Sequence, residues 1–118
     1  MSLNKLYTIV ELNPDAGMIT ATILIDPAHE IFIGHFPGAP VMPGVAQLQI
    51  VKEILEEQIG RSLRMKTMKT CKFLNVINPQ ETSEITINIK YTNGDIIDVV
   101  ASGSSANTTY FKAQVSYI

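Results

Sequence analysis

The residues of this 118-residue chain that could carry chemistry gather between positions 35 and 49, HFPGAPVMPGVAQLQ, where one histidine, three prolines and two glycines precede an apolar helix pattern. Pro37, Pro40 and Pro43 each hold φ at about −65° and remove a backbone donor. The peptide from His35 to Gly44 is therefore predicted to be a stiff, irregular loop that holds a side chain in place at low entropic cost. From Pro43, a residue favoured at the first helical position, Val45, Leu48, Val51 or Lys52, Leu55 and Ile59 recur at spacings of three and four, and Ile50 and Ile54 widen the stripe. A helix from Gly44 to about Glu57 follows, ending near Gly60. The N–H groups of its first turn, Gly44's included, point back toward the loop and suit a developing negative charge.

The elements that must position this loop read as strands. Leu6 to Val10, a turn at Asn13-Pro14-Asp15-Ala16-Gly17, and Met18 to Ile25 predict a first strand pair, with Ile31 and Phe32 as apolar walls before the loop. Leu63 to Phe73 reads as a long strand and Asn75 to Pro79 as a bend. In Glu84 to Tyr91, Ile85, Ile87, Ile89 and Tyr91 share one parity, the clearest strand in the chain. Asn93-Gly94-Asp95 joins it to Ile96 to Ala101, Gly103 to Asn107 makes a second break, and Phe111, Ala113, Val115 and Tyr117 alternate in a final strand. One long helix over a largely antiparallel curved sheet is an α+β layering in a single domain, residues 1 to 118. The open sheet edge predicts a homodimer, or a larger dimer-based assembly, that buries it against a second copy.

Hydrophobic residues make up 46% of the chain and charged residues 17%, which suits a packed core rather than disorder. No apolar run is long enough to insert in a membrane and no leader-like segment opens the chain, so a cytoplasmic location is expected. Cys71 has no partner for an internal disulfide and, with two histidines, leaves little for a metal site, so no metal is expected. The net charge of −2 argues against nucleic acid. Arg61, Arg64, Lys66, Lys69 and Lys72 nevertheless put five of nine basic residues within twelve positions free of acids. Such a segment can meet an acidic partner.

The run HFPGAPVMPGV, preceded by His29 and by Ile31-Phe32-Ile33-Gly34, closely resembles the signature of the hot-dog-fold 3-hydroxyacyl-acyl-carrier-protein dehydratases, with weaker likeness over the whole chain. That resemblance implies a central helix wrapped by an antiparallel sheet, and active sites formed between two subunits. It places His35 at the catalytic histidine, Gly44 at the backbone N–H that binds the thioester carbonyl, and Phe36, Val41, Met42 and Pro43 in the segment shaping the acyl site. It also implies an acyl carrier protein as partner, whose phosphopantetheine arm brings the substrate, with no further cofactor, and it makes the basic segment a docking surface.

Fourteen residues after the histidine, where the family carries glutamate or aspartate, this chain has Gln49. An amide donates and accepts hydrogen bonds but has no carboxylic proton to give. Glu53, Glu56 and Glu57 read as solvated helix-face residues, and Gln47 as facing elsewhere, supporting the loop or capping a backbone group. His29 reads as structural or at the tunnel rim. The resemblance implies elimination of water from a 3-hydroxyacyl thioester, with altered activity. The alternatives are a non-catalytic acyl-carrier or acyl-chain binder, a degenerate subunit of a mixed dimer, and, less well matched, a thioesterase.

Overall fold

The computed structural model describes residues 5–33 and 40–118. Strand β1 (Tyr7–Asp15) turns back as β2 (Met18–Ile25), and a single 3₁₀ turn, Glu30–Phe32, leads toward the loop. Helix α1 (Gly44–Ile59) follows, then β3 (Met65–Phe73), β4 (Glu84–Thr92), β5 (Ile97–Ser105) and β6 (Thr108–Tyr117). The six strands form one antiparallel sheet in the order β1-β2-β4-β5-β6-β3. One long helix on a curved open sheet is the hot-dog arrangement expected.

The alternation in β2, β4, β5 and β6 fills the core as period-two strands should. Ile19, Ala21, Ile23 and Ile25 of β2 lie beside Ile85, Ile87 and Ile89 of β4, and all are buried against Ala46, Ile50, Val51, Ile54 and Leu55 of α1. One row of cross-strand partners runs Ala21, Ile87, Gly103, Phe111, Phe73. Its glycine matters by what it lacks, because a Cβ on Gly103 would drive into the Phe111 ring, with Cδ1 at 2.9 Å. Phe111 thus fills the space that the missing side chain leaves.

Several predicted boundaries move. Strand β1 runs through Asn13-Pro14 to Asp15, leaving only Ala16 and Gly17 as the turn, because each residue of that stretch pairs with β2 from Thr20 back to Met18. Likewise β5 includes Gly103, Ser104 and Ser105, so the expected break narrows to Ala106 and Asn107. The register slips between Gly103 and Ser104 opposite Tyr110, a bulge that turns Tyr110 inward beside Phe111. Helix α1 continues to Ile59, where Gly60 at φ 81° takes the left-handed cap and its N–H donates to the Glu56 carbonyl at 2.8 Å. At the other end α1 starts at Gly44 as expected, with Pro43 as the N-cap rather than the first helical residue, and Val45 points outward rather than joining the buried stripe.

Tyr117, fully buried at the end of β6 with its hydroxyl unpaired among the described residues, has its phenol pushed up from 10.0 to about 12, by burial first and by the Glu56 charge second. Above pH 10 an unfolded chain gives up this proton while the folded one keeps it, so stability falls as pH rises toward 12. The slope is at most ~1.4 kcal/mol per pH unit. Urea midpoints of Tyr117→Phe beside the native chain are expected to show a shallower loss across that window.

Candidate active site at the helix start

The predicted base, His35, and Phe36 lie outside the described residues; the arm of the loop that follows them is well defined. The Met42 N–H donates to the Ile77 carbonyl at 2.9 Å, and the Met42 carbonyl accepts from Gln47 Nε2 at 3.2 Å. These two bonds pin Val41, Met42 and Pro43 between the bend before β4 and the first turn of α1. Gln47 is therefore the loop support that its position suggested, turned into the core and 5% exposed. Its Oε1 has no partner among the described residues. The Met42 side chain is buried too, beside Ile77, Ile85 and Phe111, around a void of about 10 Å³ that holds at most about one water.

At the helix start the Pro43 carbonyl accepts from the Ala46 and Gln47 N–H groups at 3.1 and 3.2 Å. Among the described residues the Gly44 N–H makes no hydrogen bond and remains available to a ligand oxygen. Gly44 also leaves room for an aromatic ring. A Cβ there would stand 2.6 Å from Cζ of Phe73, whose half-exposed ring meets the helix start with its outer edge. Phe73 thus covers one side of the start of α1. Spacing gave no hint of this contact, which depends on β3 lying beside β6 at the sheet edge.

Gln49 lies five residues beyond Gly44, about 7.5 Å along the helix axis, and is half-buried. Its Nε2 donates to Glu53 Oε2 at 3.3 Å, and Glu53 Oε1 accepts from the Tyr7 hydroxyl of β1 at 2.8 Å. Glu53 is therefore not a solvated helix-face residue, as its position had suggested, because the Tyr7 hydroxyl reaches it from the start of β1 and closes a polar chain. Burial first, then the bond to Glu53 and the charges of Glu53 and Glu57, push the Tyr7 phenol well above its ordinary range. Glu56 departs from expectation in the same way: it is half-buried and its Oε2 accepts from the Leu63 N–H at 2.7 Å, whereas Glu57 is exposed as predicted. His29 proves structural, capping the 3₁₀ turn as Nδ1 accepts from the Ile31 N–H at 3.0 Å. It borders a cleft with Phe32, Ile33 and Pro40.

The five residues of the basic segment are all exposed, spread from the end of α1 along edge strand β3. Arg61 Nη2 donates to the Gly94 carbonyl at 3.0 Å and shares a groove with Glu53, Glu56 and Glu57. Lys66 and Lys69 sit at the two register shifts of edge strand β3, and Lys72 pairs across to Lys112. Bulged lysines on an edge discourage indiscriminate strand pairing. The Cys71 thiol, half-buried in β3, is pushed up by burial and so is poorly suited to be a nucleophile. Among the described residues, no three His, Cys, Asp or Glu side chains group to hold a metal ion, and no helix is long and apolar enough to cross a membrane.

Residues 11–110 match a family model described as ApeI-like, ApeI dehydratase. The chain belongs to the ApeI-like family. Among its curated relatives, the 3-hydroxyacyl-acyl-carrier-protein dehydratase FabZ of Levilactobacillus brevis is 30% identical over 115 residues, spanning 92% of this chain and 77% of that protein. The ApeI-like fold also superposes on a chain of the dehydratase heterocomplex ApeI:P from Xenorhabdus doucetiae, with a TM-score of 0.76 at 18% identity, over 93% of this chain and 96% of the other. A thioesterase from Haemophilus influenzae gives 0.63 at 14% identity, over 98% and 79%. At such identities the likeness is one of fold alone.

Proposed function

We propose that the protein acts on a 3-hydroxyacyl thioester carried by an acyl carrier protein, eliminating water to give the trans-2-enoyl thioester. The observation that carries this reading is the available Gly44 N–H beside a pinned, proline-stiffened loop, with Gln49 on the same helix one turn below. In this account the Gly44 N–H receives the thioester oxygen as negative charge develops on it. His35 takes the proton from the carbon next to the carbonyl, the C3–O bond breaks, and the same proton returns from His35 to the departing hydroxide, which leaves as water. Gln49 orients the hydroxyl without giving up a proton. Phe36, Val41, Met42 and Pro43 shape the acyl site, and an acyl chain entering beside Met42 displaces that side chain from its packed position. Turnover of 3-hydroxyacyl-carrier substrates that vanishes in His35→Ala tests the assignment.

Arg61, Arg64, Lys66, Lys69 and Lys72 serve in this proposal as the docking surface for the acidic carrier, with Lys66 and Lys69 projecting from the bulged edge as its centre. Lys66→Glu with Lys69→Glu is expected to raise KM for the carrier-borne substrate at low salt and leave kcat within about twofold. An unchanged KM would remove the docking role. A homodimer is proposed as well, since Met65, Met68, Phe73, Leu74 and Val76 leave apolar surface exposed on and just beyond β3. Light scattering behind size exclusion is expected to give twice the chain mass, and a monomer at micromolar concentration would contradict it.

A second reading is favoured by one specific feature. Gln49 removes the carboxylic proton, and one of the folds most similar to this one belongs to a dehydratase heterocomplex. The chain would then bind acyl thioesters as the quieter subunit of a mixed pair. Thioester binding without exchange of the α-proton is the behaviour that reading requires.

A further inference from the structure

Glu53 makes two hydrogen bonds, both as acceptor: the Tyr7 hydroxyl reaches Oε1 at 2.8 Å and Gln49 Nε2 reaches Oε2 at 3.3 Å. A carboxylate has no hydrogen to offer, so the atom of Gln49 that meets it must be the nitrogen. Helical side chains lean toward the N-terminus, which is how a glutamate one turn further on reaches back to the Gln49 amide. Gln49 Oε1, bonded to the same carbon as Nε2, is thereby turned away from the Glu53 carboxylate. An unanchored amide would turn over freely and present either end. Tyr7, on a different element, keeps the carboxylate itself from swinging away.

Resting on the dehydratase reading above, we infer that Glu53 is a positioning residue: held by Tyr7, it fixes the orientation of the Gln49 amide and so makes Gln49 Oε1 the acceptor for the hydroxyl on carbon 3 of the bound acyl chain. The position where the resembled enzymes carry an acid becomes a recognition element for the hydroxyl group, and its specificity is set one helical turn away. The ligand class follows from the chemistry. An acceptor of fixed direction favours a chain that bears a hydroxyl over one that does not.

The test compares binding of two probes, 3-hydroxyoctanoyl-pantetheine with an amide N–H replacing the thioester sulfur, which makes the α-proton too weakly acidic for elimination, and its counterpart lacking the 3-hydroxyl. One hydrogen bond corresponds to a preference of about tenfold for the hydroxylated probe in the native protein. Glu53→Gln, whose amide can donate as well as accept, is expected to reduce that preference to less than about threefold. The exchanged pair Gln49→Glu with Glu53→Gln keeps one amide and one carboxylate in contact and restores it, an outcome that a merely structural Glu53 would not produce. Tyr7→Phe is expected to lower the preference partway and decides the matter if Glu53→Gln does not fold. A native protein that binds both probes equally, or a folded Glu53→Gln that keeps the full preference, overturns the role of Glu53 and leaves the thioester reading standing. Failure of the native protein to bind either probe overturns both.

Discussion

Gln49→Glu is expected to raise the rate of 3-hydroxyacyl dehydration by about 10²-fold, the lower end of what a positioned general acid contributes. The substitution changes one group without changing the reach of the side chain, and it places a carboxyl where the Gln49 amide now lies. Glu53 then becomes a second carboxylate one turn away, in place of an amide's partner at 3.3 Å. Two carboxyls so close share a proton, and the repulsion raises the pKa of the pair. A proton held above the ordinary carboxylate range is the form a general acid needs, so the gain is expected to persist toward neutral pH and to decline as pH rises further. His35→Ala combined with Gln49→Glu is expected to lose the gain, because an acid without a base cannot remove the α-proton. A pH–rate profile of the three proteins on one carrier-borne substrate checks the set. A Gln49→Glu enzyme no faster than native would mean that position 49 does not reach the leaving hydroxyl.

Gly103→Ala carries the largest expected effect on stability, a loss of about 1–3 kcal/mol read from urea midpoints. The added methyl meets the ring of Phe111, which is 1% exposed and held between Gly103 on one side and Phe73 on the other. With no open direction for the ring, the strain passes into the sheet. Gly44→Ala makes an instructive contrast. Its added methyl also meets an aromatic ring, but Phe73 is 50% exposed at the sheet edge and can swing outward. Gly44→Ala is therefore expected to cost less than half as much stability as Gly103→Ala, while opening the helix start to water and weakening thioester binding.

The contrast between these glycines also shows where the sequence was informative. The alternation of Ile85, Ile87 and Ile89, and of Phe111, Ala113, Val115 and Tyr117, declared buried strand faces because one face of each strand meets the helix and the other does not. The helix was legible from Pro43 to Gly60 for the same reason, although its buried centre lies on Gln47, Ile50, Val51 and Ile54 rather than on Val45. Tyr110 beside Phe111 defeated a strict period of two, since a bulge turns both inward. Pro14 and Gly103 read as breakers, yet Pro14 lies on edge strand β1 and Gly103 makes room for an aromatic ring.

At the site, Gly44 and Gln49 were legible because motif and helix sit side by side in sequence. Glu53, Tyr7 and Phe73 were not. Each acts through a partner 4, 46 or 29 positions away, and the last two separations close only when the start of β1 brings Tyr7 to the helix and β3 joins the sheet beside β6. A glutamate on a helix with charged neighbours reads as solvated until the distant residue that reaches it is known.

The most direct test of the central claim, that this chain removes water from a 3-hydroxyacyl thioester through His35, is mass spectrometry of the carrier-borne substrate incubated with the native protein in deuterated water. Reversible elimination is expected to place one deuterium on the carbon next to the carbonyl and to yield the trans-2-enoyl thioester, with both signals absent in His35→Ala. Substrate that binds the native protein yet keeps its α-hydrogens and yields no enoyl product would contradict the claim and leave a thioester-binding subunit in its place.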